Sequence, residues 1–397
     1  MECLKENSEL KDENIKLMKA EKIYIYGAGL VGRITYLRLK NQYKIEGFVV
    51  SNIKENEDKL YGIGVYEISQ IKDCPDKTIF IIGVSDKYQD EVIKSLIENG
   101  YNNWVYSCIE PLSYNYYIKN QEKLDINTET LDWYRVCTGK DIDIEHPVSY
   151  NEKIQWLKIN DNTRIKTELS DKVSVRSYVE KKIGKQYLVP ILGVWGAFED
   201  IPFDVLPNKF VLKCNHASGT NFIVKNKDDI DYDTVKKQFD DWMEMNYAYA
   251  SGFEMQYDKI KRKIYAEQYI EQEDGDLCDY KLHCFSGKVK IIQVIFSRNH
   301  KTHFAYEAFF DPNWNRNNLM YNTYKQYEGE IEKPKKLDEM IEVAERLSSS
   351  FRYVRVDLYE VKGKVYFGEM TFTPASGIGK WSNTMDNEIV GGMINIE

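Results

Sequence analysis

The run YVRVDLYEVKGKVYFGEMTFTPASG, residues 353 to 377, constrains the fold of this chain more than any other. Its two arms are β-branched and aromatic runs on either side of a Lys-Gly-Lys turn, which is the pattern of a β-hairpin. A turn centred on Gly363 sets Asp357 opposite Glu369 and Arg355 opposite Thr371, and a slip of one residue would change that register. Alternation then places Arg355, Asp357, Glu369 and Thr371 on one face, with Val354, Val356, Met370 and Phe372 on the other. Two carboxylates directly opposed in a sheet repel by up to about 1 kcal/mol even when solvated. Either Arg355 neutralises them on a solvated ribbon, or a divalent cation sits between them. Hard oxygens from Asp, Glu and a third polar side chain, with positions left for water and phosphate, are what Mg²⁺ takes in nucleotide sites.

A chain of 397 residues has room for two or three domains, and 43% apolar with 13% aromatic residues is enough for real cores. The formal charge of −9 and the lack of any basic tract argue against a nucleic-acid partner. No apolar run approaches the ~18 residues of a membrane span. The first residues, MECLKENSELKDENIKLMKAEK, are charged throughout and contain no signal-peptide core. The expectation is a cytoplasmic protein without a transmembrane segment. Seven cysteines (Cys3, Cys74, Cys108, Cys137, Cys214, Cys278 and Cys284) are scattered without a CxxC pair and read as reduced thiols. His300 and His303 form an i, i+3 pair with no further ligands nearby.

After a polar leader, residues 1–20, the segment 21–110 alternates strands and helices: KIYIYGAGLVGRITYLRL, then IEGFVV, TIFIIGV and NNWVYS. This is the pattern of a small Rossmann-like parallel-sheet domain. Gly27, Gly29 and Gly32 match the G-x-G-x-x-G fingerprint, in which bare backbone lets a pyrophosphate approach a helix N-terminus. The acid expected at the end of the second strand is missing, and Ser51 and Asn52 stand there. That weakens an NAD reading and leaves nucleotide-sugar binding and a purely structural role side by side. The domain loosely resembles the small nucleotide-sugar-binding domains of surface-sugar biosynthesis enzymes. Residues 111–146 read as a connecting region with one helix, and 147–397 as a second domain. That domain opens with a capping box, Ser149 and Glu152, on a helix with Ile154 and Leu157 along one side.

Further segments carry candidate chemistry. LSDKVSVRSYVEKKIGKQYLVP has Ser170 or Asp171 opening a helix, with Lys172 and, one turn on, Arg176 on a common cationic face unless both are simply solvated. KFVLKCNHASGTNFIV is strand, small-residue loop, strand. It is either a plain turn or a flap whose N–H groups at Ser218, Gly219 and Thr220 wrap phosphates beside Lys213; His216 there reads as structural. IYAEQYIEQEDGDLCDYKLHCFSGKVKII is two strands joined by an acidic loop, with Asp279 and Lys281 on one strand face.

Taken together, NEKIQWLK, LKCNHASGTNFIV, DYKLHCFSGKVK and YFGEMTFTPASG, in this order, resemble the TupA-like branch of the ATP-grasp superfamily. That branch is associated with teichuronopeptide and surface-polysaccharide synthesis. The resemblance covers about residues 147–396 and implies two α+β halves gripping ATP. The fold class expected for the whole chain is therefore α/β and α+β, a small Rossmann-like domain followed by an ATP-grasp fold. By the same resemblance Lys172, Lys213 and Lys281 meet the phosphates under the Ser218–Gly219–Thr220 flap. Glu267, Gln268, Tyr269 and Ile270 form the hinge at the adenine. Asp279, in competition with Asp276, binds the ribose. Asp357 and Glu369 hold Mg²⁺, and Arg355 steadies the transition state. Thr371 stands where many members have an Asn metal ligand, and its hydroxyl is a weaker neutral donor. Residues 294–315, rich in aromatics, line the acceptor site or the core, with Arg298 the candidate for an acidic substrate.

The activity so implied is an ADP-forming, Mg²⁺-dependent carboxylate–amine ligase working through an acyl phosphate in capsular or teichuronopeptide-type polysaccharide assembly. Its substrates would be a small-molecule or glycan carboxylate and an amine, with a nucleotide-sugar at the N-terminal domain. Four rivals stand beside it: an ATP-dependent sugar phosphotransferase, a glycosyltransferase-associated polysaccharide biosynthesis protein, a non-catalytic nucleotide-sugar-binding or docking protein, and a nicotinamide-dependent oxidoreductase, which the missing strand-end acid disfavours.

Overall fold

The computed structural model describes residues 17, 19–107, 114–271, 278–299, 304–319, 321, 324–381 and 383–397. The leader up to residue 16, Cys108, Asp276, His300 and His303 lie outside them. The chain divides into two compact units, residues 1–142 and 143–397.

In the first unit, β1 (Lys22–Tyr26), β2 (Ile45–Val50), β3 (Lys59–Leu60), β4 (Ile63–Glu67), β5 (Thr78–Ile82) and β6 (Trp104–Tyr106) form one sheet. Their order is β3-β4-β2-β1-β5-β6, and every pairing except β3 with β4 is parallel. Without the short β3 this is the doubly wound order. Residues of β5 are buried along its whole length, because a parallel sheet is covered on both faces. Ile23, Ile25, Ile79 and Ile81 enter one core cluster, while Tyr24, Tyr26, Phe80 and Ile82 enter another. The sequence reading lacked β3 and β4, which join through a two-residue turn with Tyr61 and Gly62 both at positive φ. Helices α1 (Leu30–Leu39) and α2 (Gln89–Glu98) connect strands, and α3 (Tyr114–Asn120) and α4 (Ile126–Thr138) follow. The described residues of 111–146 thus contain two helices where one was expected. α4 is tied back by Arg33 Nη1, which donates to Val136 O at 3.2 Å, and by Tyr61 Oη, which donates to Arg135 O at 2.7 Å.

The second unit holds two sheets. The smaller is wholly antiparallel, with β7 (Ile191–Trp195), β8 (Phe210–Cys214), β9 (Asn221–Val224) and β10 (Ile264–Gln268) in the order β7-β10-β8-β9. The larger contains β11 (Asp279–Phe285), β12 (Lys288–Asn299), β13 (Phe304–Phe310), β14 (Arg316–Asn317), β15 (Lys325–Gln326), β16 (Tyr353–Val361) and β17 (Lys364–Thr371). Its order is β14-β13-β12-β11-β16-β17, with β15 beside β13. Helices α5 (Tyr150–Asn160), α6 (Arg164–Ser170), α7 (Val175–Lys182), α8 (Tyr232–Glu244), α9 (Tyr247–Ala250), α10 (Leu337–Ser348) and α11 (Thr384–Gly392) complete it. The expected capping box opens α5: Ser149 Oγ accepts from Glu152 N, and Glu152 Oε2 accepts from Ser149 N.

One face of the large sheet is apolar. Val354, Val356, Leu358, Met370 and Phe372 pack with α7 and α10 through Val179, Met340, Val343 and Leu347. The opposite face carries Arg355, Asp357, Lys281 and His283, and at one end it is closed by Tyr150, Ile154 and Leu157 of α5 against Phe285, Ile291 and Tyr353. Period-two alternation dictates this division, since every second side chain crosses to the other face.

The β16–β17 register shows how close the hairpin reading came and where it departed. Asp357 pairs with Glu369 and Arg355 with Thr371. The turn, however, lies between Lys362 (φ 52°) and Gly363 (φ 71°), which shifts the arms next to it by one residue. A β-bulge at Gly368 takes up the difference, so the acids still face each other. Space there is tight: a Cβ on Gly368 would stand 3.0 Å from Asp357 O and 2.9 Å from the Tyr359 ring.

Candidate active site

Asp357 is 3% exposed and lies at the centre of the polar face. Arg355 grips it with both prongs, Nε to Oδ1 at 2.7 Å and Nη2 to Oδ2 at 2.8 Å, and Lys281, opposite it on β11, also donates to Oδ2. Burial pushes the Asp357 carboxyl up, but Arg355 and Lys281 outweigh that and hold it at about 2. On β17, Glu369 Oε1 accepts from Thr371 Oγ1 at 3.2 Å and from Arg355 Nη2 at 3.4 Å, while Oε2 lies 3.5 Å from Lys172 Nζ. Burial raises the Glu369 carboxyl too, and Lys172 and Arg355 overcome it against the repulsion of Asp357.

Lys172 reaches this cluster because its own segment is docked on the loop after β8. Its backbone N–H donates to Asn215 O at 3.1 Å, Asn215 Nδ2 donates to Asp171 Oδ1 at 2.9 Å, and Lys172 Nζ donates to Ala217 O at 2.7 Å. Asp171 accepts from the N–H groups of Val173 and Ser174 in a turn that precedes α7, so the helix starts at Val175, later than expected. Arg176, on the first turn of α7, lies 3.6 Å from Glu267, which also holds Lys213 Nζ at 2.6 Å.

Glu267, which opens the stretch expected to meet the adenine, thus bridges Arg176 and Lys213. Gln268 donates its N–H to Pro190 O at 2.9 Å; Tyr269 and Ile270 follow β10, half-buried. Of the loop expected to wrap phosphates, Ser218 and Gly219 (φ 74°) are exposed and a Cβ on Gly219 would touch nothing, but Thr220 is buried with its hydroxyl toward Ala217 O. The exposed tip is thus two residues, not three. His216 is buried against Trp242 O, and burial lowers it to about 4, which makes it a neutral structural residue.

Asp279 faces Tyr359, whose hydroxyl is pushed above its ordinary range first by the Asp279 charge and then by burial. Asp279 also lies 3.9 Å from Lys281. Tyr265 feels Glu267 and Glu369, and Tyr257 feels Glu254 and Glu369, both with burial as the leading cause of a raised hydroxyl. These tyrosines and Glu254 were not among the sequence candidates. Tyr359 could have been, because it continues the alternation of Arg355 and Asp357. Farther along the face Gln293 Nε2 donates to Glu307 at 2.8 Å, and burial raises the Glu307 carboxyl to about 7. The side chain of Arg298 lies outside the described residues.

The structure thus brings Lys172, Lys281, Arg355, Asp357, Glu369, Thr371 and Asp279 together, with Lys213, Arg176 and Glu267 as a second cluster. Five cations stand against four carboxylates, a surplus suited to a polyphosphate. Among the described residues no three His, Cys, Asp or Glu side chains form a metal cage. Two carboxylates and a hydroxyl nevertheless fit Mg²⁺, which keeps waters and takes its remaining oxygens from substrate phosphates.

The glycine turn of the first unit lies apart from these residues in sequence and answers to different forces. Gly27 has φ 118° and its Cβ would meet Gly83 O at 2.4 Å, while a Cβ on Gly32 would fall 1.8 Å from Gly27 O. Only Gly29, at the N-terminus of α1, faces open space. At the strand end Ser51 Oγ lies 3.3 Å from Tyr26 Oη, and Asn52 Oδ1 accepts from Lys54 N.

No curated protein matches the chain. Solved structures to which it is similar include D-alanine–D-alanine ligase from Bacillus anthracis, at 16% identity and TM-score 0.33 over 94% of this chain and 93% of that one. N5-carboxyaminoimidazole synthase from Aspergillus clavatus follows at 10% identity and TM-score 0.28, over 89% and 70%. The ATP-grasp ligase PsnB is similar at 10% identity and TM-score 0.30, over 88% and 89%. At such identities and scores nothing of their substrates transfers. The family described as TupA-like ATPgrasp matches residues 152–395, well over half the chain and the whole of the polar face described above. This ATP-binding enzyme, a Rossmann-like unit followed by an ATP-grasp fold, belongs to the TupA-like ATP-grasp family.

Proposed function

We propose that the protein is an ADP-forming carboxylate–amine ligase of cell-surface polysaccharide assembly, acting on a carboxylate such as a uronic acid and on an amine. The observation that carries this reading is the row Lys172–Glu369–Arg355–Asp357–Lys281, one buried and four half-buried charges of both signs converging on one sheet face. ATP brings about four negative charges, and transfer of its γ-phosphoryl needs cations along the triphosphate with water excluded. Lys172, Lys281 and Lys213 would neutralise the phosphates, with the Ser218–Gly219 tip closing over them. Arg355 would steady the oxygens that gain charge during transfer. Asp357 and Glu369, with Thr371 beside them, would hold Mg²⁺, which when bound supplies Lewis-acid neutralisation of the phosphate oxygens.

A substrate carboxylate oxygen attacks the γ-phosphorus and ADP leaves; the amine nitrogen then attacks the acyl carbon, inorganic phosphate departs and the nitrogen loses a proton. Asp279, with Tyr359 beside it, would meet the ribose, and the hinge Gln268–Ile270 the base. The role in polysaccharide assembly rests on the family resemblance alone. For the first unit we propose a nucleotide-sugar ligand, supported by the open space at Gly29.

The test is an ADP- and phosphate-release screen over uronic acids and amines, with product mass spectrometry. An amide and free phosphate, formed only with both co-substrates, support the ligase. A phosphorylated sugar without free phosphate replaces it with a phosphotransferase. Unchanged ATP turnover in Asp357→Asn and Glu369→Gln overturns the site.

A further inference from the structure

Helix α5 carries more than its apolar stripe. Asn151, Gln155 and Lys158, at i, i+4 and i+7, form a polar row beside Ile154 and Leu157, and all three are buried. Each reaches backbone just beyond β17. Asn151 Nδ2 donates to Gly379 O at 2.8 Å, and Gln155 Nε2 donates to Ser376 O at 2.9 Å and to Gly377 O at 3.1 Å. Lys158 Nζ donates to Gln155 Oε1 at 2.9 Å, to Gly252 O at 2.5 Å and to Ser376 Oγ at 3.1 Å.

The segment they grip is left-handed for three residues in succession: Ala375 (φ 47°, ψ 30°), Ser376 (φ 52°, ψ 22°) and Gly377 (φ 69°). The first two carry a Cβ, which disfavours that conformation. The third has no room for one, since a Cβ would stand 2.5 Å from Gln155 Nε2. Strained backbone of this kind persists only where its surroundings over-determine it, and here buried donors on one helix do so.

The network continues to the acids. Thr373, two residues past Thr371, accepts from Gln256 Nε2 at 2.7 Å and donates to Glu254. The Glu254 carboxylate, itself buried, lies in the fields of both Lys158 and Arg355. Burial raises the Glu254 carboxyl, and the Thr373 hydrogen bond and the Lys158 and Arg355 charges act against that rise.

We propose that Gln155 and Lys158 are positioning residues for the acidic end of β17: by holding residues 375–377 left-handed they set where that strand leaves the sheet, and so where Glu369 and Thr371 stand. The inference rests on the Mg²⁺–ATP reading above and adds to it the reason the family-like NEKIQWLK helix accompanies the TFTPASG turn.

The test titrates MgCl₂ against binding of a fluorescent ATP analogue to the full chain and follows thermal unfolding in parallel. Lys158→Met should raise the Mg²⁺ concentration at half-saturation at least tenfold. Adding Ala375→Gly should recover threefold or more of that, because glycine takes the left-handed form unaided. Ala375→Val, at an exposed position, strains the turn without touching the helix and should shift the Mg²⁺ midpoint the same way by threefold or more; it keeps the test decisive if Lys158→Met does not fold. Half-saturation within twofold of wild type in these variants, with only the melting point moved, overturns the inference and leaves the nucleotide site standing. Absence of Mg²⁺-dependent ATP binding in the wild type overturns both.

Discussion

The glycine turn in residues 1–142 and the acid hairpin in residues 143–397 resemble each other as compact motifs, yet opposite forces shape them. In the glycine turn, the chain's own packing accounts for Gly27 and Gly32, because a Cβ on either would overlap backbone, and only Gly29 is left without an internal reason. In the hairpin, packing explains the apolar face but not the other one. Burying Asp357, Arg355 and Lys281 costs solvation that their mutual attraction only roughly offsets. A motif made of small residues can therefore be complete without a ligand, whereas buried charge at such density points outward, to a charged partner.

The largest expected effect tests that contrast at its charged end. Asp357→Asn takes from two half-buried cations their nearest anion, so we expect a loss of about 3 kcal/mol of stability in urea denaturation and at least ~100-fold slower ADP release. Stability unchanged within ~0.5 kcal/mol would mean the charges do not depend on one another. Next, Gly32→Ala should destabilise by about 1–3 kcal/mol through overpacking, while Gly29→Ala should stay within about ±0.5 kcal/mol. Equal costs would break the distinction drawn between them; loss of UDP-sugar binding in Gly29→Ala alone would sharpen it.

The pH dependence of thermal unfolding comes third. Asp357 is held at about 2 in the folded state, against about 3.9 unfolded, so its contribution is full above pH ~4 and is lost as pH falls toward 2. Glu307 is raised to about 7 by burial, against about 4.3 unfolded, so its contribution is present below pH ~4.3 and is lost as pH rises through 7. Glu307→Gln should flatten only the fall in stability between pH ~4.3 and 7, and an unchanged fall there would remove Glu307 as its cause. The smallest effect is expected of Thr371→Asn, a shift of a few-fold toward tighter Mg²⁺ in ATP binding, since an amide oxygen is a better neutral donor than a hydroxyl. A weaker response would show that the hydroxyl's bond to Glu369 matters more.

Much of the site was legible because it rests on local periodicity. The opposed acids, the apolar back of the hairpin, the Ser149 capping box and the strand–loop–strand around Lys213 all follow from spacing within a dozen residues. What was missed depends on the third dimension or on single backbone conformations. The turn at Lys362–Gly363 and the bulge at Gly368 are two one-residue shifts that cancel, and no pattern of side chains announces either. The β3–β4 hairpin is too short to show a period. Glu267 reads as a free acid until β8 and α7 bring Lys213 and Arg176 to it. The polar row of α5 was hidden because an amphipathic helix normally turns such residues to water.

By itself, then, the sequence determined which faces of which strands are charged and which are apolar, because alternation along a chain is a local property of L-residues in extended backbone. Only the tertiary structure decided which charges meet: Lys172 with Glu369, Lys281 with Asp357, Gln155 and Lys158 with the turn at 375–377. Those pairings join residues tens to hundreds of positions apart, and their energies depend on burial and distance, neither of which exists until the sheets have closed.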